Sequence, residues 1–289
     1  MDLTATRPNP KSLNCAGRLV SLDRPVVMGI LNLTPDSFYD GGRHNTVDAA
    51  LRRAEQMLHE GATFLDLGGM SSRPGAALVP EREELERVLP VVQALAKRFP
   101  RALLSIDTVR GGVARAAVEA GAHLINDISA GSLDKTLLPT VAELRVPYVL
   151  MHLQGGTPDR MQTAPTYENV TLEVVDFFLD RIGVLRAMGF TDLILDPGFG
   201  FGKTVDHNYQ LLRELHAFQV LDLPVLAGLS RKSMIYRPLG ITPDAALNGT
   251  TALHMVALQQ GAHILRVHDV AAAVETIRLF EWVEGHGAS

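Results

Sequence analysis

The chain has 289 residues, of which 46% are apolar and 20% charged, and its formal net charge is −5. That size and balance suit one large core, and the acidic charge provides no electrostatic footprint for nucleic acid. The single cysteine, Cys15, excludes an intrachain disulfide and fits a reducing compartment.

Residues 1–25 carry three prolines and are expected to be irregular, draped over one end of the fold. Residues 1–18 contain Asp2 and Arg7 and lack the apolar core of a secretory signal. No apolar stretch approaches the roughly 18–20 residues that cross a bilayer, so a cytoplasmic protein without membrane contact is expected. VVMGIL (26–31) reads as the first strand, followed by a long loop over 32–45. A helix over about 46–60 starts on a Thr46 cap and stops at Gly61.

The second strand is 63–68, its loop 69–76, and the second helix 81–99, with apolar spacing at Leu85, Val88, Leu89, Val92, Leu95 and Ala96. A third strand (102–106), a helix (109–120) and a fourth strand (123–127) follow, then a helix near 133–144 and a strand at 147–152. A long loop, 153–167, precedes an amphipathic helix at 168–188. The sixth strand (193–196) enters the Gly-rich loop DPGFGFGK (196–203), whose helix runs to about 218. The seventh strand (224–230), a connection, a helix at about 250–260, the eighth strand (264–268) and a closing helix (270–284) complete the chain.

Eight apolar runs thus end in polar residues: Asn32, Asp66, Asp107, Asn126, His152, Asp196, Ser230 and His268. Eight strand–loop–helix repeats predict an α/β fold, a single-domain (β/α)8 TIM barrel over 26–285, near the roughly 250 residues usual for that fold. In such a barrel the polar strand ends build the active site.

Asp107, Asn126 and Asp196 should share the barrel mouth. Two carboxylates and an amide make a poor anion site, but they suit a flat heterocycle rich in N–H groups. Asp66 lies earlier in its strand and reads as a supporting interior carboxylate. Lys232, in SRK after strand seven, and Arg266 and His268, alternating on strand eight, fall at the fold's usual phosphate corner. The alternative there is an ion-pair network with the strand-end carboxylates. Asn32, beside Thr34 and Asp36, offers a hard ligand for Mg2+. The glycines of DPGFGFGK let the backbone approach a planar ligand, since the loop fits neither the Walker nor the dinucleotide pattern. His152 reads as a pocket wall or a satisfied core histidine. The absence of HExxH, CxxC and GxSxG argues against zinc and serine hydrolases.

GILNLTPDSF, GGMSSRPGA, SIDT, INDI, LMHLQG, LDPGFGFGK, GLSRKS and ILRVHDV, in this order across 28–270, resemble the dihydropteroate synthase family. The resemblance implies a transferase of folate biosynthesis. It joins 6-hydroxymethyl-7,8-dihydropterin diphosphate to para-aminobenzoate, is a homodimer and is a target of sulfonamides. By resemblance, Ser72, Asp107, Asn126, Asp196 and Lys232 hold the pterin. Ser72 stands where the family more often has Thr. Asn32, Arg266 and His268 hold the diphosphate, with Mg2+ at Asn32. Phe38, Arg73, Pro74 and Ser230 surround the aminobenzoate, and Asp36 and Asp196 stabilise a pterin-delocalised cation. Three other readings carry different tests. A pterin-binding methyltransferase barrel would lack the diphosphate corner, a Schiff-base aldolase would use Lys232 or Lys203 as nucleophile, and a non-catalytic pterin-binding module would show no turnover.

Overall fold

The computed structural model describes residues 11–33, 43–70, 79–154 and 165–285. Eight parallel strands form the barrel: β3 (Val26–Asn32), β4 (Phe64–Gly68), β5 (Leu103–Asp107), β6 (Leu124–Asp127), β7 (Tyr148–Met151), β8 (Leu193–Asp196), β9 (Leu226–Ala227) and β10 (Ile264–Val267). They pair in sequence order, and β10 pairs with both β3 and β9. A parallel bridge between Leu195 and Val225, with Leu195 N–H donating to Pro224 O at 2.8 Å, joins β8 to the approach of β9 and closes the ring.

The helices are α1 (Arg43–Glu60), α2 (Glu81–Arg98), α3 (Gly111–Glu119), α4 (Leu137–Leu144), α5 (Val170–Ala187), α6 (Val205–Arg213), α7 (Ser233–Leu239), α8 (Leu247–Gln259) and α9 (Val270–Val283). The outward side chains of the strands, such as Leu65, Leu67, Leu104, Ile106, Leu195 and Leu265, are buried in the layer beneath these helices. The inward set differs along the barrel axis. One apolar residue from each strand fills the lower interior: Met28, Phe64, Leu103, Leu124, Val149, Ile194, Leu226 and Ile264. Side chains alternate along a strand, so the next inward positions are Asp66, Ser105, Asn126, Asp196, Gly228 and Arg266, with Ile30 and Met151 the apolar members of the same layer. The interior therefore changes from hydrocarbon to polar within one strand repeat, and that change places the site at the strands' carboxyl ends.

Four expectations are corrected. The N-terminal segment is not irregular where it is described. β1 (Ser12–Cys15) and β2 (Arg18–Ser21) form an antiparallel hairpin turning at Ala16 and Gly17, both at positive φ, as a two-residue turn of the primed type requires. Leu13, Cys15 and Leu22 plug the barrel floor, so Cys15 is a core residue, and burial pushes its pKa up to about 12. α1 begins at Arg43, so Thr46 lies within its first turn and is not its cap. The connection after β9 contains α7 and a 3-10 turn, Pro243–Ala245; Pro238 and Gly240, which punctuate the sequence as a loop, sit at the end of α7 and just past it. The helix expected to run to about 218 is two pieces, α6 and a 3-10 segment, Leu215–Leu221.

Candidate functional site

The carboxyl ends of β4, β5, β6 and β10 carry one connected polar network. Asp66 is fully buried and accepts from Ser105 Oγ at 2.5 Å, Asn126 Nδ2 at 3.0 Å and Arg266 Nε at 2.6 Å. Arg266 Nη2 donates to Asp107 Oδ2 at 2.7 Å. The supporting role expected of Asp66 is realised, and Asp107 and Asn126 meet through it and Arg266. Asn126 gives one of its two amide N–H groups to Asp66, which leaves its carbonyl and its second N–H for a ligand.

Burial disfavours the charged Arg266 guanidinium, but Asp66 and Asp107 overcome this and hold its pKa above the ordinary arginine value. Burial likewise raises the Asp107 carboxyl, and Arg266 opposes the shift. The strand-eight arginine is therefore a member of an ion-pair network rather than a free cation, the alternative reading of that corner. An arginine bonded through Nε and Nη2 still has further N–H donors.

Asp196 ends β8 and is 5% exposed. Its Oδ1 accepts the Gly198 N–H at 2.8 Å. Burial raises its pKa, and Lys232 is the largest opposing influence. Lys232 approaches from the loop after β9 and donates to Phe199 O, with Nζ 4.4 Å from the centre of the Phe201 ring. Burial lowers its pKa to about 8, and Asp196 opposes that shift. Gly228 separates the two side chains. A Cβ there would lie 3.7 Å from Asp196 Oδ2 and 3.9 Å from Lys232 Nζ, so the bare backbone forms the pocket wall.

His268 follows β10, and its Nδ1 lies 3.1 Å from Ser230 Oγ, which also accepts the His268 backbone N–H at 3.3 Å. Burial, then Arg266, holds the ring down at about 4, so it is neutral near pH 7. The resemblance assigns Ser230 to the aminobenzoate side; in the structure this serine is 3% exposed and its hydroxyl engages His268.

Asn32 ends β3 in register with Gly68 and is exposed. Among the described residues no group of three His, Cys, Asp or Glu side chains could hold a metal ion. A lone amide oxygen still fits Mg2+, which keeps several waters and is commonly held by one or two protein ligands together with substrate phosphates. Asp36, Phe38, Ser72, Arg73 and Pro74, with Thr34, lie outside the described residues.

Several residues of the site escaped sequence reasoning. Arg231 adopts φ 55°, and its guanidinium holds Asp269 through two bonds of 2.8 Å, tying the loop after β9 to the end of β10. Arg53 from α1 donates to His268 O at 2.8 Å. Arg231 and Asp269 adjoin Lys232 and His268 in sequence, so their neighbours were the only available signal. The Gly-rich loop is also corrected. A Cβ on Gly198 would lie 2.0 Å from His152 O, and one on Gly202 2.8 Å from Gln154 O, both at positive φ. These glycines admit neighbouring backbone rather than a ligand. His152 is a satisfied, buried histidine whose partner is Lys203.

A family model described as pterin binding enzyme matches residues 28–268. The chain is 48% identical over 267 residues to the dihydropteroate synthase of Escherichia coli (strain K12), across 92% of this chain and 94% of that protein. It is 46% identical to the Haemophilus influenzae dihydropteroate synthase over 91% of this chain and 96% of that one. Yersinia pestis dihydropteroate synthase, solved as a complex with a sulfonamide drug, superimposes with a TM-score of 0.89 at 46% identity, covering 95% of this chain and all (100%) of that one. The Xanthomonas albilineans enzyme in complex with 7,8-dihydropteroate does so with a TM-score of 0.84 at 45% identity, covering 95% and 99%. With a barrel of this form and a family match over residues 28–268, the chain belongs to the pterin-binding enzymes and, within them, to the dihydropteroate synthases.

Proposed function

We propose that the polar mouth of this barrel carries out the family's transfer, joining the CH2 of 6-hydroxymethyl-7,8-dihydropterin diphosphate to the amine of para-aminobenzoate and releasing diphosphate. One observation carries the reading: the acceptors Asp107, Asn126 and Asp196 adjoin the cations Lys232 and Arg266 above a hydrocarbon floor.

Asp107, the Asn126 carbonyl and Asp196 accept from the N–H edge of the pterin, while Lys232 donates to the ring. Ser72 contributes at the second loop. The remaining N–H groups of Arg266, together with His268, face the diphosphate. With Ser230 donating to Nδ1, His268 carries its proton on Nε2 and donates as a neutral imidazole. As the C–O bond breaks, its electron pair leaves with the diphosphate, and these fixed donors stabilise the growing charge without reorganising. The positive charge left on the CH2 spreads into the electron-rich pterin, and the buried Asp196, with Asp36, favours it. The arylamine nitrogen forms the new C–N bond and loses a proton. Phe38, Arg73 and Pro74 orient it, with Ser230 at the edge of that subsite. Asn32 would hold Mg2+, which when bound would supply charge neutralisation to the diphosphate.

Two readings with other chemistry fit less well. Lys203 Nζ is occupied by His152 and two carbonyls, and Lys232 by Phe199 O, which disfavours a Schiff-base nucleophile. A corrinoid-dependent methyl transfer leaves the cationic corner without a task. We further propose that the enzyme is a cytoplasmic homodimer inhibited by sulfonamides; among the described residues no helix is long and apolar enough to cross a membrane. Incubation with the pterin diphosphate, labelled aminobenzoate and Mg2+ should yield labelled pteroate and an equal amount of diphosphate. Diphosphate release without labelled product would overturn the reading. Sedimentation tests the dimer, and inhibition that aminobenzoate relieves tests sulfonamide binding.

A further inference from the structure

Lys203 closes the Gly-rich loop that follows β8. Its Nζ lies 3.0 Å from Gly198 O, 3.1 Å from Phe201 O and 2.9 Å from His152 Nδ1. An ammonium has three donors and no acceptor, and three acceptors meet it here if His152 is unprotonated at Nδ1. Burial and then the Lys203 charge push the pKa of the ring down to about 2, so it is neutral, and its tautomer protonated at Nε2 meets that condition.

The segment gathered in this way supports the pocket. Gly198 donates its N–H to Asp196 Oδ1, and Phe199 offers the carbonyl that receives Lys232. Two of the four residues 198–201 are thus held by Lys203 through their carbonyls, and two hold the pocket's carboxylate and ammonium, with Gly198 in both sets. The fit is tight, since the chain passes His152 O with no room for a side chain at Gly198. Lys203 bonds to neither Asp196 nor Lys232, although its charge is felt by both across the pocket. A buried ammonium is costly to desolvate, and an apolar chain of similar length would fill the space without that cost. The cation is therefore matched by what its three bonds arrange, with a further contribution from its charge on Asp196.

We infer that Lys203, seated on His152, is a positioning residue for the pterin half of the site, fixing the loop backbone that aims Asp196 and Lys232. The inference rests on the assignment of Asp196 and Lys232 to the pterin ring, so the test separates the two.

Lys203→Met and Asp196→Asn are each compared with the parent enzyme. The readouts are the Kd for 6-hydroxymethylpterin by calorimetry, KM for both substrates, and the thermal midpoint. Lys203→Met is expected to weaken pterin binding and raise the KM for the pterin diphosphate by about tenfold, the scale of a lost hydrogen bond to a charged group. KM for aminobenzoate should stay within about twofold, and Lys203→Gln should fall between parent and Lys203→Met. A folded Lys203→Met protein with parental pterin affinity, beside an Asp196→Asn protein that has lost it, overturns the inference and keeps the site. Parental affinity in Asp196→Asn overturns the site assignment and the inference together. If Lys203→Met does not fold, Lys203→Gln and His152→Asn carry the same comparison, and unchanged pterin affinity in both overturns the inference.

Discussion

Arg266 Nη2 donates to Asp107 Oδ2 at 2.7 Å, so the arginine of the last barrel strand and the aspartate of the third hold each other at the mouth. The same guanidinium donates through Nε to the fully buried Asp66. Arg266 thus serves the fold and the site together.

Arg266→Ala should lower kcat/KM by about 3–4 kcal/mol, the range for a lost transition-state donor. It should also destabilise the barrel by roughly 3–5 kcal/mol, because Asp66 is left buried without its cation. Diphosphate release under saturating aminobenzoate measures the first effect and urea unfolding the second. Near-full turnover in the variant would remove Arg266 from the diphosphate site.

Gly228→Ala separates shape from stability. The added Cβ meets nothing closer than 3.7 Å and the backbone there is not at positive φ, so the thermal midpoint should hold. The methyl group occupies pocket wall between Asp196 and Lys232. KM for the pterin diphosphate should rise while KM for aminobenzoate does not. An unchanged pterin KM would place the ring elsewhere.

The pH profile of kcat/KM for the pterin diphosphate should be bell-shaped and centred near neutrality. Burial raises the Asp107 carboxyl, so the acceptor form is gained at a pH above the usual carboxylate range. Burial lowers Lys232 to about 8 and Lys203 to about 7, so the ammonium forms are lost far below the 10.5 of an ordinary lysine. An alkaline limb that appeared only near pH 10 would contradict the burial of these amines.

Removal of Mg2+ by chelation should weaken the pterin diphosphate and leave 6-hydroxymethylpterin, which has no phosphate, bound as before. Asn32→Ala should raise the Mg2+ concentration needed for half-maximal rate. A variant with parental Mg2+ dependence would move the metal to other ligands.

His254, on α8, is 2% exposed, and neither ring nitrogen has a hydrogen-bond partner. Burial holds its pKa down at about 4, with Asp269 opposing, against 6.5 for an ordinary histidine. The folded state thus binds fewer protons than the unfolded chain between those values. Its stability falls as pH drops from about 6.5 towards 4 by on the order of 3 kcal/mol from this residue. His254→Leu should remove that contribution, so its thermal midpoint should gain on the parent as pH falls through this window. Parallel curves for the two proteins would show that His254 does not titrate with unfolding.

The barrel was legible because its determinants are local and periodic. Five of the eight strands run apolar, then polar two residues later: Phe64 to Asp66, Leu103 to Ser105, Leu124 to Asn126, Ile194 to Asp196 and Ile264 to Arg266. Alternation on a strand turns that spacing into one inner face with a hydrocarbon floor and a polar mouth. The amino-terminal hairpin and α7 were missed because their signals are weak: Ala16 at a turn that favours Asn, and Pro238 with Gly240 marking the end of a helix rather than a loop.

Residue types and strand ends are written in the chain itself, so they alone determined the barrel, the level of the site and its mixture of acceptors and cations. Which acceptor meets which cation was decided only when the ring closed. Arg266 reaches Asp66 from 200 positions away and Asp107 from 159, and no local pattern encodes a pair at that separation. The same holds for Lys203 on His152, Arg231 on Asp269 and Ser230 on His268. A hydrogen bond depends on distances of about 3 Å, and strand order, register and burial set those distances only in the assembled barrel.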